Sequence, residues 1–191
     1  MTQKYNVAVA GATGAVGSEI IQILEQRDFP IENLYLLASS KSTGKTIEFK
    51  EKKILVENLA EFDFSKTHIS LFSPGGKISA EYAPKAAKSG CIVIDNTSHF
   101  RMQKNIPLIV PEVNANALEE FFRDKNRTNI ISNPNCSTIQ MVVALNPIHK
   151  ISPVQRIVVS TYQAVSGTGS NVVEELRNQI QANPSPTPNE G

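Results

Sequence analysis

The stretch of residues 5–17 reads Tyr5-Asn-Val-Ala-Val-Ala-Gly11-Ala-Thr-Gly14-Ala-Val-Gly17, and it decides the fold. Apolar residues up to position 10 predict a short buried strand that ends at Gly11. Apolar residues then recur every three to four positions over residues 15–26, which predicts an amphipathic helix. A strand, a glycine-rich loop and a helix therefore follow one another directly, as in the first unit of a parallel sheet.

The same alternation continues through the following hundred or so residues. Further apolar runs predict strands, one pair of short runs predicts a hairpin, and two segments with helical spacing predict helices. The strands span residues 34–38, 69–72, 92–94 and 130–132, the hairpin residues 45–49 and 53–56, and the helices residues 78–88 and 114–126. We therefore predict an α/β fold with a Rossmann-type parallel sheet and helices on both faces.

A second domain is predicted to begin after residue 132. Residues 136–150 have the apolar spacing of a helix, residues 157–160 predict a strand of a different sheet, and the proline-rich last ten residues predict an exposed loop or tail. We expect residues 1–132 to form one domain and residues 133–191 the beginning of an α+β domain. One strand cannot close a sheet, so we expect this second domain to be incomplete, with a long C-terminal part missing.

The glycines of the opening stretch are spaced Gly11-x-x-Gly14-x-x-Gly17. Between a strand and a helix, such a loop lets the backbone approach a pyrophosphate, whose charge the helix N-terminus stabilises. The loop therefore predicts a dinucleotide site, with a structural tight turn as the alternative. After the second predicted strand stand Ser39-Ser-Lys41-Ser42, with no carboxylate before Glu48 to hold ribose hydroxyls. One cation and several hydroxyl groups suit a 2′-phosphate, which favours NADP over NAD.

Cys136 lies in the segment Ser132-Asn-Pro-Asn-Cys136-Ser-Thr-Ile139, at a predicted helix start directly after a strand. Free N–H groups there can stabilise a thiolate and hold an oxyanion, so Cys136 is a candidate nucleophile, with a half-buried helix-cap cysteine as the alternative. Cys91 lies in an apolar run and is interpreted as structural. Neither Cys nor His stands at ligand spacing from Cys136, so no metal site is expected. A thiolate beside a nicotinamide cofactor favours aldehyde oxidation through a thioester.

The composition of the chain argues against binding to nucleic acid or to a membrane. The chain has 19 Lys and Arg residues against 18 Asp and Glu residues, which gives no excess of positive charge for nucleic acid. Apolar runs fall well short of the roughly 20 residues that cross a bilayer, and the N-terminus lacks a signal-like apolar segment. We therefore expect a cytoplasmic protein that binds neither nucleic acid nor membrane.

Five blocks, in this order, resemble the bacterial branch of the aspartate-semialdehyde dehydrogenase family, and together they span nearly the whole chain. They are the glycine loop at residues 11–17, Asp95-Asn-Thr-Ser-His-Phe-Arg101, residues 107–114, Asn133-Pro-Asn-Cys-Ser-Thr-Ile-Gln140 and Thr161-Tyr-Gln-Ala-Val-Ser-Gly167. The resemblance implies reversible, NADP- and phosphate-dependent conversion of aspartate semialdehyde to aspartyl phosphate, in lysine, threonine, methionine and isoleucine biosynthesis. It also implies a homodimer at full length.

The resemblance implies individual roles as well. Cys136 would be the acyl-thioester nucleophile, and Gln163 would orient the substrate. Arg101 would bind the phosphate group, and Asn135 would belong to the same substrate and phosphate site. The residues that would contact NADP are Gly11, Thr13, Gly14, Ala15, Val16, Lys41, Ser42, Ser166 and Gly167. From the residues alone, Arg101 is either an anion-binding side chain at the sheet's carboxyl edge or a solvated surface charge.

Family members place an acid–base histidine, a substrate-binding arginine and a phosphate-binding lysine in the part beyond residue 191. His68, His99 and His149 are interpreted as structural or solvated, so this chain alone is expected to be inactive. Charged residues 123–127 form a loop longer than the family's usual one, interpreted as a solvated insertion. Two alternatives remain. N-acetyl-gamma-glutamyl-phosphate reductase typically has an aromatic residue after the cysteine, where this chain has Ser137. The other is a noncatalytic cofactor-binding module.

Overall fold

The structure is a computed structural model that describes residues 3–182. Its described part contains one seven-stranded sheet in the order β3-β4-β2-β1-β5-β6-β7, in which β3 alone runs antiparallel. The strands are β1 Tyr5–Ala10, β2 Ile31–Ala38, β3 Thr46–Phe49, β4 Lys52–Asn58, β5 Ile69–Phe72, β6 Ile92–Asp95 and β7 Ile130–Ser132. The predicted parallel α/β sheet is therefore confirmed.

The parallel strands end nearly in register. Ala10 pairs with Leu37 and with Phe72, Phe72 pairs with Asp95, and Asp95 pairs with Ser132. The loops that follow these strands consequently open along one edge of the sheet, where ligands of open α/β sheets bind. This register brings the glycine loop to the same edge as the turn at residues 133–136, which presents Cys136 and is called the cysteine turn below.

Helices cover both faces of the sheet because neighbouring residues of a buried strand point to opposite sides. On one face, Ile21 of α1 packs with Val9 and Leu36. On the other, the small side chains of α2 pack with Ala8 and Val93, which lets this helix lie close to the strands. The helices are α1 Ala15–Gln26, α2 Gly76–Lys88, α3 Pro111–Asn114, α4 Ala117–Arg123, α5 Cys136–Ile151 and α6 Ser170–Ala182.

Two predicted elements are wrong in detail. The helix expected over residues 114–126 is shorter, because only α4 lies within that range and the short helix α3 ends at Asn114, where the expected helix begins. Asn114 explains the break, because its side chain accepts from the Val110 N–H at 2.8 Å and donates to the Leu108 carbonyl, which fixes a local turn. The strand expected over residues 157–160 has no regular structure, and Val158 is 81% exposed. A strand needs a hydrogen-bonded neighbour, and none stands beside these residues in the described part of the chain.

The predicted hairpin is confirmed as β3 and β4, and β4 also pairs in parallel with β2, which the sequence did not indicate. The chain divides into two compact units, one up to Ile157 and one from Val158 onward. The second unit contains a 3-10 turn, Val165–Thr168, followed by α6. A domain boundary after residue 132 stays a prediction. The predicted proline-rich tail lies, except for residue 182, outside the described residues.

Candidate active site

The glycine loop leaves β1 in a conformation that only glycine allows at its first position. Gly11 has a φ of +84°, and a Cβ built there would lie 2.9 Å from the Ser73 main-chain carbonyl. Its N–H donates to the Leu37 carbonyl at 2.8 Å, which ties the turn to the neighbouring strand. A side chain at position 11 would therefore be strained and would push the loops after β1 and β5 apart.

Gly17 fixes the packing of α1 against this turn, since a Cβ there would come within 2.1 Å of the Gly11 carbonyl oxygen. Gly14 precedes the helix as its N-cap and offers no capping side chain, and the first turn carries no acidic residue. The N–H groups at this helix end thus remain available to an anion, and the helix dipole adds favourable potential.

A cleft of about 460 Å³ opens beside the glycine loop. Its walls come from the loops after four parallel strands and from one side of α2. They consist of Gly11, Thr13, Gly14, Ala38, Ser39, Ser40, Asn58, Leu59, Ala60, Ser73, Pro74, Ile78 and Tyr82. Three of the predicted cofactor residues, Gly11, Thr13 and Gly14, line the cleft. Ala15 and Lys41 directly follow lining residues in the sequence, and Val16 and Ser42 come one position later. The volume and its mixed lining fit part of a dinucleotide.

At the end of β2, the hydroxyl of Thr13 donates to that of Ser42 at 3.4 Å, which links the glycine loop to the predicted 2′-phosphate region. Lys41 is exposed within the 3-10 turn Ser40–Ser42. The walls of the cleft contain no carboxylate among the described residues. This end of the cleft is therefore suited to an anionic group.

The cysteine turn leaves β7 and begins α5. The Asn133 N–H donates to the Asp95 carbonyl at 2.7 Å, which anchors the turn to β6. Asn135 is the N-cap of the helix, and its Oδ1 accepts from the N–H groups of Ser137 and Thr138. Cys136, the first helical residue, is exposed, and its thiol is free. A nucleophile at this position is reachable from the carboxyl edge of the sheet.

Cys91 is buried, whereas Cys136 is exposed. It is fully buried, and its sulfur contacts the hydroxyl groups of Ser70 at 3.0 Å and Thr67 at 3.3 Å. Burial raises the pKa of the Cys91 thiol, an effect that these two hydrogen bonds partly oppose. Cys91 is thus an inert structural thiol, as its apolar setting in the sequence predicts.

Arg101 connects the loop after β6 to the cysteine turn after β7. Its Nε donates to the Asn133 carbonyl at 3.0 Å, and its Nη2 donates to the Asn96 carbonyl at 2.9 Å. The Asn133 side-chain amide in turn donates to Asn96 Oδ1 at 2.6 Å. Arg101 is half-buried by these contacts, so it is a built part of the edge between β6 and β7.

Asp95 organises the loop that carries Asn96. One oxygen of its buried carboxylate accepts from the N–H and the hydroxyl of Thr97, at 2.8 and 2.6 Å. These two bonds close a tight turn directly after β6. The predicted site therefore rests on a hydrogen-bonded frame that runs from Asp95 to Asn135.

Gln163, Ser166 and Gly167 belong to the second compact unit. There the side chain of Gln163 lies against Gly167, since a Cβ at residue 167 would come within 2.1 Å of Gln163 Nε2. Ser166 and Gly167 lie in the 3-10 turn Val165–Thr168. Their roles toward substrate and cofactor stay predictions.

The histidines make local contacts. His68 Nδ1 accepts from the Asn6 N–H, His149 Nδ1 accepts from the Val154 N–H, and His99 packs edge-on against Phe100. Over residues 3–182, the acidic, histidine and cysteine side chains form no cluster of three that could hold a metal ion. Within the same range, each helix is too short or too polar to cross a membrane.

Sequence reasoning missed the far wall of the cleft. Asn58 ends β4 and Leu59 follows it, Ser73 and Pro74 follow β5, and Ile78 and Tyr82 lie about one helical turn apart on α2. These lining residues could have been expected from their positions at or directly after predicted strands, because parallel strands end at one edge of the sheet. The residues at the end of β4 could be placed there only once β4 was known to pair with the main sheet.

Comparison with known protein families places both parts of the chain. Residues 6–121 match the model described as semialdehyde dehydrogenase, NAD binding domain, and residues 145–190 match semialdehyde dehydrogenase, dimerisation domain. Aspartate-semialdehyde dehydrogenase 2 of Vibrio cholerae is 55% identical over 179 residues, which cover 94% of this chain and 52% of that protein. The chain thus spans about half the length of the curated relatives it matches.

Solved structures agree with this similarity. The crystal structure of aspartate semialdehyde dehydrogenase II from Vibrio cholerae, complexed with ASA, superposes with a TM-score of 0.89 at 53% identity, over 94% of this chain and 52% of that one. An aspartate semialdehyde dehydrogenase with NADP from Candida albicans matches 80% of this chain and 48% of that one, with a TM-score of 0.65 at 25% identity.

Proposed function

The chain belongs to the semialdehyde dehydrogenase family, and from this premise we propose that it is the N-terminal part of an NADP-dependent aspartate-semialdehyde dehydrogenase. The proposed reaction is the reversible, phosphate-dependent conversion of aspartate semialdehyde to aspartyl phosphate. One observation carries the proposal: an exposed cysteine at a helix start and a glycine-lined cleft open on the same edge of one parallel sheet. β1 and β7 lie three strand spacings apart, or about 14 Å, a distance that an extended dinucleotide spans.

The glycine loop and its surroundings suit NADP. At Gly14, where an added Cβ would have no atom closer than 3.4 Å, the bare backbone would let the pyrophosphate approach the N–H groups at the start of α1. Thr13, Ser42 and Lys41 would receive the 2′-phosphate, since hydroxyl groups and a cation stand where NAD-binding proteins have a carboxylate. When bound, the nicotinamide supplies the acceptor for the hydride that leaves the substrate.

Cys136 performs the covalent chemistry in this proposal. Its thiolate attacks the aldehyde carbon to give a hemithioacetal, with the new oxyanion near the Cys136 N–H, which has no acceptor among the described residues. Loss of hydride turns the hemithioacetal into a thioester, so the aldehyde carbon is oxidised by two electrons. A phosphate oxygen then attacks the thioester carbon, and the Cys136 thiolate departs as aspartyl phosphate forms.

Arg101 is proposed to receive the attacking phosphate while it holds the cysteine turn. A guanidinium has five N–H donors, and two of them are used on the carbonyl groups of Asn133 and Asn96, which leaves three for an anion. Gln163 is proposed to orient the substrate. Asn135 would act through its side-chain amide N–H groups, because its carbonyl oxygen caps α5.

We also propose how the whole protein is assembled, where it works and what this chain does alone. The chain alone is inactive, because none of its three histidines is placed as an acid–base partner of Cys136 by its local contacts. The active form is a homodimer, supported by the match of residues 145–190 to a dimerisation domain. The protein works in the cytoplasm, where amino-acid biosynthesis takes place.

The two alternatives are less well supported. The Vibrio cholerae relatives described above, which are 55% and 53% identical to this chain, are aspartate-semialdehyde dehydrogenases. This similarity favours the proposed function over N-acetyl-gamma-glutamyl-phosphate reductase. A noncatalytic cofactor-binding module does not need an exposed cysteine at a capped helix start on the same sheet edge as the cleft.

The test is an assay of a chimera in which the part of the Vibrio cholerae relative that lies beyond the matched residues follows this chain. NADPH formation is measured with aspartate semialdehyde and with N-acetylglutamate semialdehyde, with and without phosphate, beside a Cys136→Ala chimera. We expect phosphate-dependent turnover of aspartate semialdehyde that the Cys136→Ala chimera and the 191-residue chain lack. Preference for the acetylated substrate would favour the reductase, and turnover by the short chain would refute its inactivity.

A further inference from the structure

A closed ring of hydrogen bonds joins the loop after β6 to the cysteine turn. The Asn133 N–H donates to the Asp95 carbonyl at 2.7 Å. Arg101 donates from Nε to the Asn133 carbonyl and from Nη2 to the Asn96 carbonyl. Asn96 directly follows Asp95 in the chain, which closes the ring. The ring therefore contains the guanidinium that is proposed to receive phosphate and the start of the turn that presents Cys136.

The side chain of Asp95 is fully buried, and within the described part of the chain both of its hydrogen bonds come from Thr97. Its Oδ1 accepts the Thr97 N–H and hydroxyl, whereas its Oδ2 is buried and has no partner among the described residues. A buried carboxylate with one unpaired oxygen lowers stability, and apolar residues often fill such a position at no loss. The carboxylate is therefore explained by the turn that it fixes at Thr97 and not by packing.

Thr97 transmits this restraint along the loop. Its side chain is buried, and its hydroxyl donates to Asp95 while it accepts from the His99 N–H at 3.4 Å. Two residues further on, Phe100 is 3% exposed and packs in the main core cluster. The backbone that leads to Arg101 is thus held by a hydroxyl group on one side and by the core on the other.

The direction of the Arg101 guanidinium depends on these restraints. A guanidinium is planar and rigid, so its two bonds to the ring also fix where its remaining N–H donors point. We propose that Thr97, held by the Asp95 carboxylate, is a positioning residue of the reaction: it fixes Asn96 and thereby keeps Arg101 aimed at the attacking phosphate. The inference rests on the proposed function, because that function gives Arg101 its role toward phosphate.

Thr97→Val and Thr97→Ser separate the hydroxyl from the rest of the side chain. Valine keeps the shape and loses the hydroxyl, whereas serine keeps the hydroxyl. Thr67→Val is the matched control, because Thr67 is also buried and its hydroxyl donates to the Phe64 carbonyl at 2.8 Å. Thr67 precedes β5 and so lies at the opposite edge of the sheet from the ring. The thermal unfolding midpoint shows that each variant is folded.

The positioning step is measured without substrate or cofactor. In ¹⁵N NMR spectra of the 191-residue chain, the Hε signal of Arg101 is the one that Arg101→Lys removes. We expect Thr97→Val to accelerate exchange of this proton with water by about tenfold or more, because the bond to Asn133 opens more often. Thr97→Ser and Thr67→Val should leave the rate unchanged. An unchanged rate in Thr97→Val, or equal acceleration in Thr67→Val, would overturn the proposal.

Asp95→Asn tests the same bond from the other side. The amide keeps an acceptor oxygen but removes the charge that strengthens both hydrogen bonds from Thr97, so we expect a smaller acceleration of Hε exchange than in Thr97→Val. This variant also decides the question if Thr97→Val does not fold. Exchange as slow as in the unaltered chain would contradict the role given to the carboxylate.

The consequence for the reaction is measured in the chimera. Thr97→Val should raise KM for phosphate by about tenfold or more, because Arg101 is no longer held in one direction. KM for NADP should stay unchanged, since no hydrogen bond joins the glycine loop to the ring among the described residues. An unchanged KM for phosphate, or an equal rise in Thr67→Val, would overturn the proposal. If the unaltered chimera is inactive, the proposed function fails and the NMR measurement alone decides whether Thr97 positions Arg101.

Discussion

Arg101 and Asn133 are joined by a hydrogen bond of 3.0 Å from the guanidinium Nε to the main-chain carbonyl oxygen. The same side chain donates to the Asn96 carbonyl, so one residue ties the loop after β6 to the turn that presents Cys136. A planar guanidinium can bridge two fixed acceptors because its N–H groups have fixed directions, which a lysine ammonium does not reproduce.

Arg101→Lys is therefore expected to lower the stability of the folded protein, although it keeps the positive charge. We expect a loss of about 1–3 kcal/mol in the free energy of unfolding by urea, because two carbonyl groups lose a charged donor. In the chimera, KM for phosphate should rise by about tenfold or more, since phosphate also loses a bidentate partner. Arg123→Lys, exposed on α4, is the control. Unchanged stability and an unchanged KM would contradict the bridging role.

The side-chain bond between Asn96 and Asn133 is expected to couple the two residues energetically. A double-mutant cycle of Asn96→Ala and Asn133→Ala, followed by urea unfolding, should give a coupling energy of about 0.5–3 kcal/mol. The exposed bond between Asn33 and Asn6 is a matched control, and we expect weaker coupling there because water competes for both groups. Additive effects at Asn96 and Asn133 would show that the 2.6 Å contact contributes nothing.

Two glycines of the same loop should respond differently to alanine. Gly17→Ala places a methyl group 2.1 Å from the Gly11 carbonyl, so we expect a loss of about 1–3 kcal/mol in stability. At Gly14 the nearest atom lies 3.4 Å from the added Cβ and the backbone has an ordinary φ of −85°. Gly14→Ala should thus fold normally but bind NADP more weakly. Equal stability of both variants would contradict the packing argument.

Cofactor preference should depend on the residues after β2. Ser39→Asp introduces the carboxylate that holds ribose hydroxyls in NAD-binding proteins and repels a 2′-phosphate, so we expect NADP affinity to fall by about tenfold or more relative to NAD. Lys41→Ala should weaken the binding of NADP and leave the affinity for NAD unchanged. Fluorescence titration with both cofactors measures the ratio, and a ratio unaffected by either substitution would place the 2′-phosphate elsewhere.

Cys91 predicts a pH dependence of stability. Burial raises the pKa of its thiol in the folded state above the ordinary value of 9.0. When the pH rises past 9.0, the unfolded chain loses this proton first, so stability falls until the folded thiol also ionises. Cys91→Ala should remove this alkaline loss in urea unfolding curves recorded around pH 7 and about pH 10. The same slope in both proteins would contradict the effect of burial.

The first half of the fold follows from sequence because its signals are local. Alternating apolar residues before Gly11 and helical spacing after Ala15 each fix one element, and the repeated order fixes a parallel sheet. The strand predicted at residues 157–160 failed for the opposite reason, since β structure depends on neighbours that local pattern does not supply. The pairing of β4 with β2 was missed for the same reason, because it too depends on a neighbouring strand that the local sequence pattern does not identify.

The roles of the predicted site residues stay predictions, and the structure shows where these residues lie. Chemistry-bearing residues such as Cys136 and Arg101 stand out because their types and positions after strands are unusual. The Asn96–Asn133 bond could not be predicted, because it joins residues 37 positions apart through loops of irregular shape.

The most direct measurement of the central claim is detection of the acyl enzyme. The chimera is incubated with aspartate semialdehyde and NADP without phosphate, quenched in acid, digested and analysed by mass spectrometry. We predict an aspartyl adduct on Cys136 that disappears when phosphate is added and is absent from Cys136→Ala. An active chimera with no adduct, or with the adduct on another residue, would contradict a thioester mechanism at this turn.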